Sequence, residues 1–151
     1  MNLYTKHKFL VSCEYDHHWI HHPLVIKFLV DDTIIHIDVN GNSSNKFNKT
    51  VVVDHSEDNM HKFSIEISAK TNENVILDDN KNAIKDTVLT IKDLQFDQIS
   101  IASMLSSGNF AEFYVHDTGK VKTNSLILAE NGILHFSFSV PINQWLLEKL
   151  F

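Results

Sequence analysis

The sequence predicts an all-β fold: an antiparallel β-sandwich, jelly-roll-like, with a short C-terminal helix. Three observations predict it. Apolar and polar residues alternate with period two, most cleanly in Phe63-Ser64-Ile65-Glu66-Ile67-Ser68 and in Leu134-His135-Phe136-Ser137-Phe138-Ser139-Val140. Clusters of Asn, Asp and Gly punctuate these runs at short intervals, as in a sandwich of roughly eight to ten strands. Helical spacing is clear only in the terminal PINQWLLEKLF.

Taken in order, residues 4–11 form the first strand candidate. The segment YDHHWIHH, residues 15–22, reads as a polar connection. Residues 25–30 and 34–39 are rich in β-branched side chains, and Asp31-Asp32 between them suits a tight turn. Residues 40–45 read as a loop, 50–53 as a strand, and 57–59 as a turn before the strand at 63–68. Strands are expected at 75–77, 87–91, 110–115 and 125–128, with Asp78-Asp79-Asn80 as a turn. Residues 99–106 fit a short helix or a bent strand. Asp117-Thr118-Gly119 and Asn131-Gly132 carry hairpin chemistry. Pro141 suits the first helical position, and Ile142, Trp145, Leu146 and Leu150 make one apolar stripe.

The chain of 151 residues is expected to be a single domain, 1–151, because no Pro-rich or Gly/Ser-rich linker divides it. It carries thirteen lysines, no arginine, and a formal charge of −6. Arginine is the usual bidentate partner of phosphate, so this balance argues against nucleic acid and against an anionic membrane surface as partners. Asparagine, lysine and isoleucine are abundant, which fits an AT-rich genome. The single cysteine, Cys13, excludes an internal disulfide and any cysteine-based zinc motif, and is expected to be a small buried residue. No signal-peptide pattern or membrane-length apolar run is visible, so a cytoplasmic location, or a particle assembled there, is expected.

The candidate site residues start with the histidines. His17, His18, His21 and His22 sit within six positions around Trp19. On a helix they would form i, i+4 chelating pairs; Pro23 favours extended backbone, in which His17 and His21 share one face and His18 and His22 the other. A third metal ligand would have to come from Asp16, His36 or His116. The chain's ten histidines together offer a proton-sensitive surface, since their protonation moves the formal charge from −6 to +4. His36-Ile37-Asp38 invites comparison with an iron-binding facial triad completed by His116 or His135. The missing arginine and the short chain argue against it. His36 and Asp38 instead suit the solvent side of a strand. Asp78-Asp79-Asn80-Lys81-Asn82 begins like a calcium loop but has Ala83 and Leu89 at the defining positions. A shallower calcium site would join Asp78 or Asp79 to Asp31, Asp32 or Asp117. No cofactor is otherwise expected beyond an adventitious transition metal. No nucleophile elbow, phosphate loop or marked carboxylate pair occurs. Tyr15, Trp19 and Tyr114 lie in or beside expected loops, and could offer flat faces to a glycan; Trp145 belongs to the core.

Residues 87–105, TVLTIKDLQFDQISIASML, and 130–151, ENGILHFSFSVPINQWLLEKLF, resemble small uncharacterised proteins of large tailed phages that infect marine bacteria. The shared residues are Asn131, Gly132, Phe136, Phe138, Pro141, Ile142, Trp145, Leu146, Leu147, Glu148 and Leu150. Leu134 stands where that group carries a tryptophan. The resemblance covers roughly a third of the chain. It implies an architecture and a source, and no catalytic site.

The expected function is therefore non-enzymatic: a binding or assembly module, of the kind a phage uses as an accessory or virion-associated protein. Protein partners or self-association through a sandwich edge or Leu150-Phe151 follow from that reading. The alternatives are a metal-binding protein or metal-dependent enzyme using the histidine cluster, and a carbohydrate-binding module.

Overall fold

The alternating segments pack as two antiparallel sheets in a computed structural model, which describes residues 6–54 and 58–150. Along the chain the strands are β1 (Lys6–His18), β2 (Val25–Val30), β3 (Thr33–Asp38), β4 (Ser44–Asp54), β5 (Met60–Ser68), β6 (Val75–Leu77) and β7 (Ala83–Asp86). Then follow β8 (Val88–Phe96), β9 (Ile99–Ser100), β10 (Glu112–Val115), β11 (Val121–Thr123), β12 (Ile127–Leu128) and β13 (Gly132–Ser139). Two helices complete the fold, α1 (Ala102–Leu105) and α2 (Ile142–Leu150). One sheet orders β12-β8-β1-β4, with β9 also on β8; the other orders β11-β10-β13-β5-β2-β3; β6 and β7 form a separate hairpin. Among the described residues, no helix is long and apolar enough to cross a membrane.

The period-two reading holds where it was clearest. Phe63, Ile65 and Ile67 of β5 and Leu134, Phe136 and Phe138 of β13 are buried, and Phe63 pairs directly with Phe136. Rings concentrate at the α2 end of the sandwich. Phe96 lies against Phe9, Phe63, Phe136, Phe138 and Trp145 at centroid separations of 5.3–6.0 Å. These tilted and edge-to-face arrangements are the favourable ones for aromatic rings. The apolar stripe of α2 packs Ile142, Trp145 and Leu146 onto this cluster, and leaves Leu147 exposed.

Several boundaries differ from expectation. The first strand runs on through His18, and β4 begins at Ser44 inside the expected loop, because β1 and β4 pair without a break from Lys6↔Asp54 to Asp16↔Ser44. Tyr4, Glu57 and Phe151 lie outside the described residues. Asp31 and Asp32 both have positive φ, as a two-residue hairpin of the tightest type requires, and Asp97-Gln98 repeats the device between β8 and β9. The 99–106 segment is both things at once, two residues of strand followed by one helical turn. Pro141 sits one position ahead of α2, where its carbonyl accepts from the Trp145 amide at 3.2 Å.

Asn131-Gly132 is not a hairpin turn. It carries the chain from β12 in one sheet to β13 in the other. The Asn131 carboxamide copies a strand pairing, accepting from the Lys70 amide at 2.9 Å and donating to the Lys70 carbonyl at 3.0 Å. Gly132 is required by close approach, since a Cβ there would overlap the Tyr114 carbonyl and the Phe113 ring.

Phe96→Ala removes the ring shared by five others, and should lower unfolding free energy by about 3–5 kcal/mol in urea titrations. An effect near zero would show that the cluster is not the load shared by both sheets.

Candidate functional site

Strand direction divides the loops between two ends. The end opposite α2 gathers residues 19–24 between β1 and β2, 39–43 between β3 and β4, the 69–87 excursion, the β10–β11 turn and the β12–β13 crossover. Trp19, His21 and His22 lie in the first of these loops, and His17 and His18 are the last residues of β1 where it enters the loop.

Its organising group is Asp38. A one-residue bulge in the β2–β3 pairing, which sets Phe28 opposite His36 and Leu29 opposite Ile34, turns His36 and Asp38 inward and exposes Ile37. Expectation put His36 and Asp38 on the solvent side; the bulge reverses it. The Asp38 carboxylate accepts from the Tyr15 hydroxyl at 2.8 Å and from the Asn40 and Gly41 amides at 3.1 Å each. His17 Nδ1 lies 3.6 Å from its Oδ2. Burial pushes this carboxyl up, but the Gly41 amide, Tyr15, His17 and the Asn40 amide outweigh it and hold it below its ordinary value. Burial, then the bond to Asp38, raises the Tyr15 phenol far above its usual range.

Tyr15 is consequently not a ligand-facing ring. It shares the inward face of β1 with Val11 and Cys13 and is only 1% exposed. His17, on the same face, is fully buried, and its Nε2 accepts the Leu24 amide at 3.1 Å. The neutral ring therefore carries its proton on Nδ1, toward Asp38. Burial lowers its pKa against the opposing pull of Asp38. A lone pair held by Leu24 and a ring sealed in the core remove His17 from any metal set.

The other histidines diverge. His18 is on the opposite, exposed face of β1; His21 is exposed with positive φ; His22 Nε2 lies 3.1 Å from Thr71 Oγ1. Of the proposed third ligands, His36 stacks on Phe47 at 4.3 Å, and burial lowers its pKa. The four-histidine site is thus dispersed, and among the described residues no three His, Cys, Asp or Glu side chains group to hold a metal. Two of the three partners offered for a loop calcium site with Asp78 or Asp79 are at the far end of the sandwich. Asp31 and Asp32 lie at the α2 end, with Asp31 committed to His61 and the Lys62 amide, whereas Asp78 caps its own hairpin by accepting from the Asn80 and Asn82 amides.

Trp19 follows β1 directly. Its Nε1–H donates to the Gly41 carbonyl, and the indole is 41% exposed. Gly41 has φ +69°, and a Cβ there would overlap both the indole and Pro23. One residue thus receives the tryptophan on its carbonyl while its amide binds Asp38. The rest of the 19–24 loop is held by two residues that sequence reasoning missed. Buried Asn74 donates to the Ile20 and His22 carbonyls at 2.8 Å each, and Thr87 Oγ1 accepts the Ile20 amide at 2.9 Å. A cleft of about 330 Å³ opens at the same end, lined by Thr71, Asn72, Lys70, Asp86, Asp117 and Glu130 among others. Thr71 links it to His22. Tyr114 is 42% exposed on β10, which β13 and β5 separate from β2, so it is not brought beside Trp19.

No family model matches this chain, and no curated protein does. Among solved structures, vCBM60 in complex with galactobiose has a similar fold, at TM-score 0.50 and 8% identity, over 84% of this chain and 96% of that one. The likeness bears on the fold alone, and the class it supports is the antiparallel β-sandwich.

The buried cluster should make the fold acid-sensitive. His17 and His36 have folded-state values below the ordinary 6.5, so the unfolded chain binds protons first as pH falls, and stability is lost below that value. Asp38, lowered from 3.8, extends the loss into stronger acid. Melting temperature should fall between about pH 7 and about pH 5, and Asp38→Ala should cost about 3 kcal/mol at neutral pH. A flat pH profile would contradict this account.

Proposed function

We propose that this protein is a non-catalytic carbohydrate-binding module whose ligand rests on Trp19 and extends toward the Thr71 cleft. The observation that carries this reading is the fixed, half-exposed indole, anchored through Gly41 to the Asp38 cluster. A sugar presents an apolar C–H face that stacks on a flat ring, and hydroxyls that need nearby donors and acceptors. The cleft supplies carboxylate, carboxamide and hydroxyl groups at the same end. Because the ring is already held in place, stacking costs little further ordering.

The likeness to vCBM60, seen with galactobiose, supports a glycan as the ligand class and suggests the first probe. A phage accessory or virion-associated role, the source implied by the C-terminal resemblance, suits a module that grips a surface glycan without altering it.

Trp19 and Trp145 report separately, one half-exposed and one buried. Galactobiose and a panel of oligosaccharides should perturb the Trp19 fluorescence saturably. Trp19→Ala should weaken binding roughly tenfold or more, with little change in melting temperature. Binding that survives the loss of Trp19 unchanged, or no saturable response across the panel, would end this reading.

A further inference from the structure

We propose that the free edge of β4 is a dimer interface, at which a second copy of this chain pairs antiparallel about a two-fold axis through Thr50. Among the described residues β4 pairs only with β1, which leaves its other side open along 11 residues. Exposed aliphatic side chains line it: Val52 on β4, with Ile34 on β3, the edge strand of the other sheet. A cleft of about 310 Å³ runs between the two edges.

Backbone direction shows which groups are offered. Leu10 donates its amide to the Asp97 carboxylate and accepts the Asp97 amide, each at 2.8 Å, so both of its backbone groups face β8. Thr50 is the register partner of Leu10. Its N–H and C=O therefore point away from β1, to the open side, as do those of Asn48 and Val52 two residues either way. An edge of this kind can complete an antiparallel ladder with its own copy.

Charge selects the register. Pairing centred on Lys49 would set the two Lys49 side chains face to face. Pairing centred on Thr50 separates them and sets Lys46 opposite Asp54 of the second copy, twice by symmetry. Within one chain Lys46 already faces Glu14 across β1, and Asp54 faces Lys6. The joined sheets would then carry the row Glu14, Lys46, Asp54, Lys6, alternating in sign across the seam. Thr50 meets Thr50 at the axis, a favourable cross-strand pair. The exposed lysine on an edge strand, a common guard against indiscriminate pairing, here excludes one register and leaves another.

Sedimentation equilibrium on the intact chain tests this. The wild type should be a dimer. Thr50→Pro removes an outward-facing amide without touching the β1 ladder, and should give a monomer with an unchanged circular dichroism spectrum. Lys46→Glu and Asp54→Lys should each weaken the dimer about tenfold. Mixed in equal amounts, these two should associate again, because the heterodimer restores both opposite-charge pairs. A wild type that stays monomeric at millimolar concentration, a dimer indifferent to Thr50→Pro, or a mixture no tighter than its components would overturn the proposal.

Discussion

The loop end of this sandwich depends on one buried carboxylate. Burying an ionised group is unfavourable unless donors replace its water. Asp38 has the Tyr15 hydroxyl, two backbone amides and the nearby His17 ring, each from a different point along the chain. The solution of that local problem joins β1 to the end of β3 and fixes the chain at Gly41. Gly41 in turn holds Trp19. The exposed ring is thus positioned by an ion that never reaches the surface, and the candidate binding site and the polar core are a single construction.

The rest of the loop end is secured largely by carboxamides. Asn74 ties the 19–24 loop to the turn before β6, and Asn131 pairs with both backbone groups of Lys70. Lys70 adds its ammonium to Asp86 and to the Thr87 and Ala129 carbonyls. In a chain without arginine, one lysine with three acceptors does the bridging that a guanidinium fork often does. Abundant asparagine, read from the sequence mainly as turn chemistry, is here also a means of continuing strand pairing where strands end.

How much of this was legible varies with the range of the interaction. Alternation in β5 and β13 and the stripe on α2 depend only on which side of a local element is buried, and they could be read directly. Asn131-Gly132 shows the limit. Its residues announce that the chain can turn sharply, but which sheet the next strand joins is decided by distant partners. The inward turn of Asp38 was hidden for a related reason, since a single bulged residue reverses the faces of everything after it. A signal did exist: Tyr15 and His17 fall in phase with Val11 and Cys13, which places polar groups in the core and calls for a buried partner. Alternation correctly put His17 and His18 on opposite faces of the chain; what it left open is that the His17 face is the sealed core, where the Leu24 amide takes the ring's lone pair.

Cys13, the chain's single cysteine, sits midway along β1 between Phe47 and Leu94. Burial pushes its thiol far above the ordinary range, with the charges of Asp93 and Glu14 adding to the effect. The thiolate is the form that attacks alkylating reagents, so a buried, protonated Cys13 is shielded from them while the strands remain closed. The rate at which this sulfur is modified would therefore clock how often the middle of the five-stranded sheet parts, a built-in chronometer for the molecule's breathing.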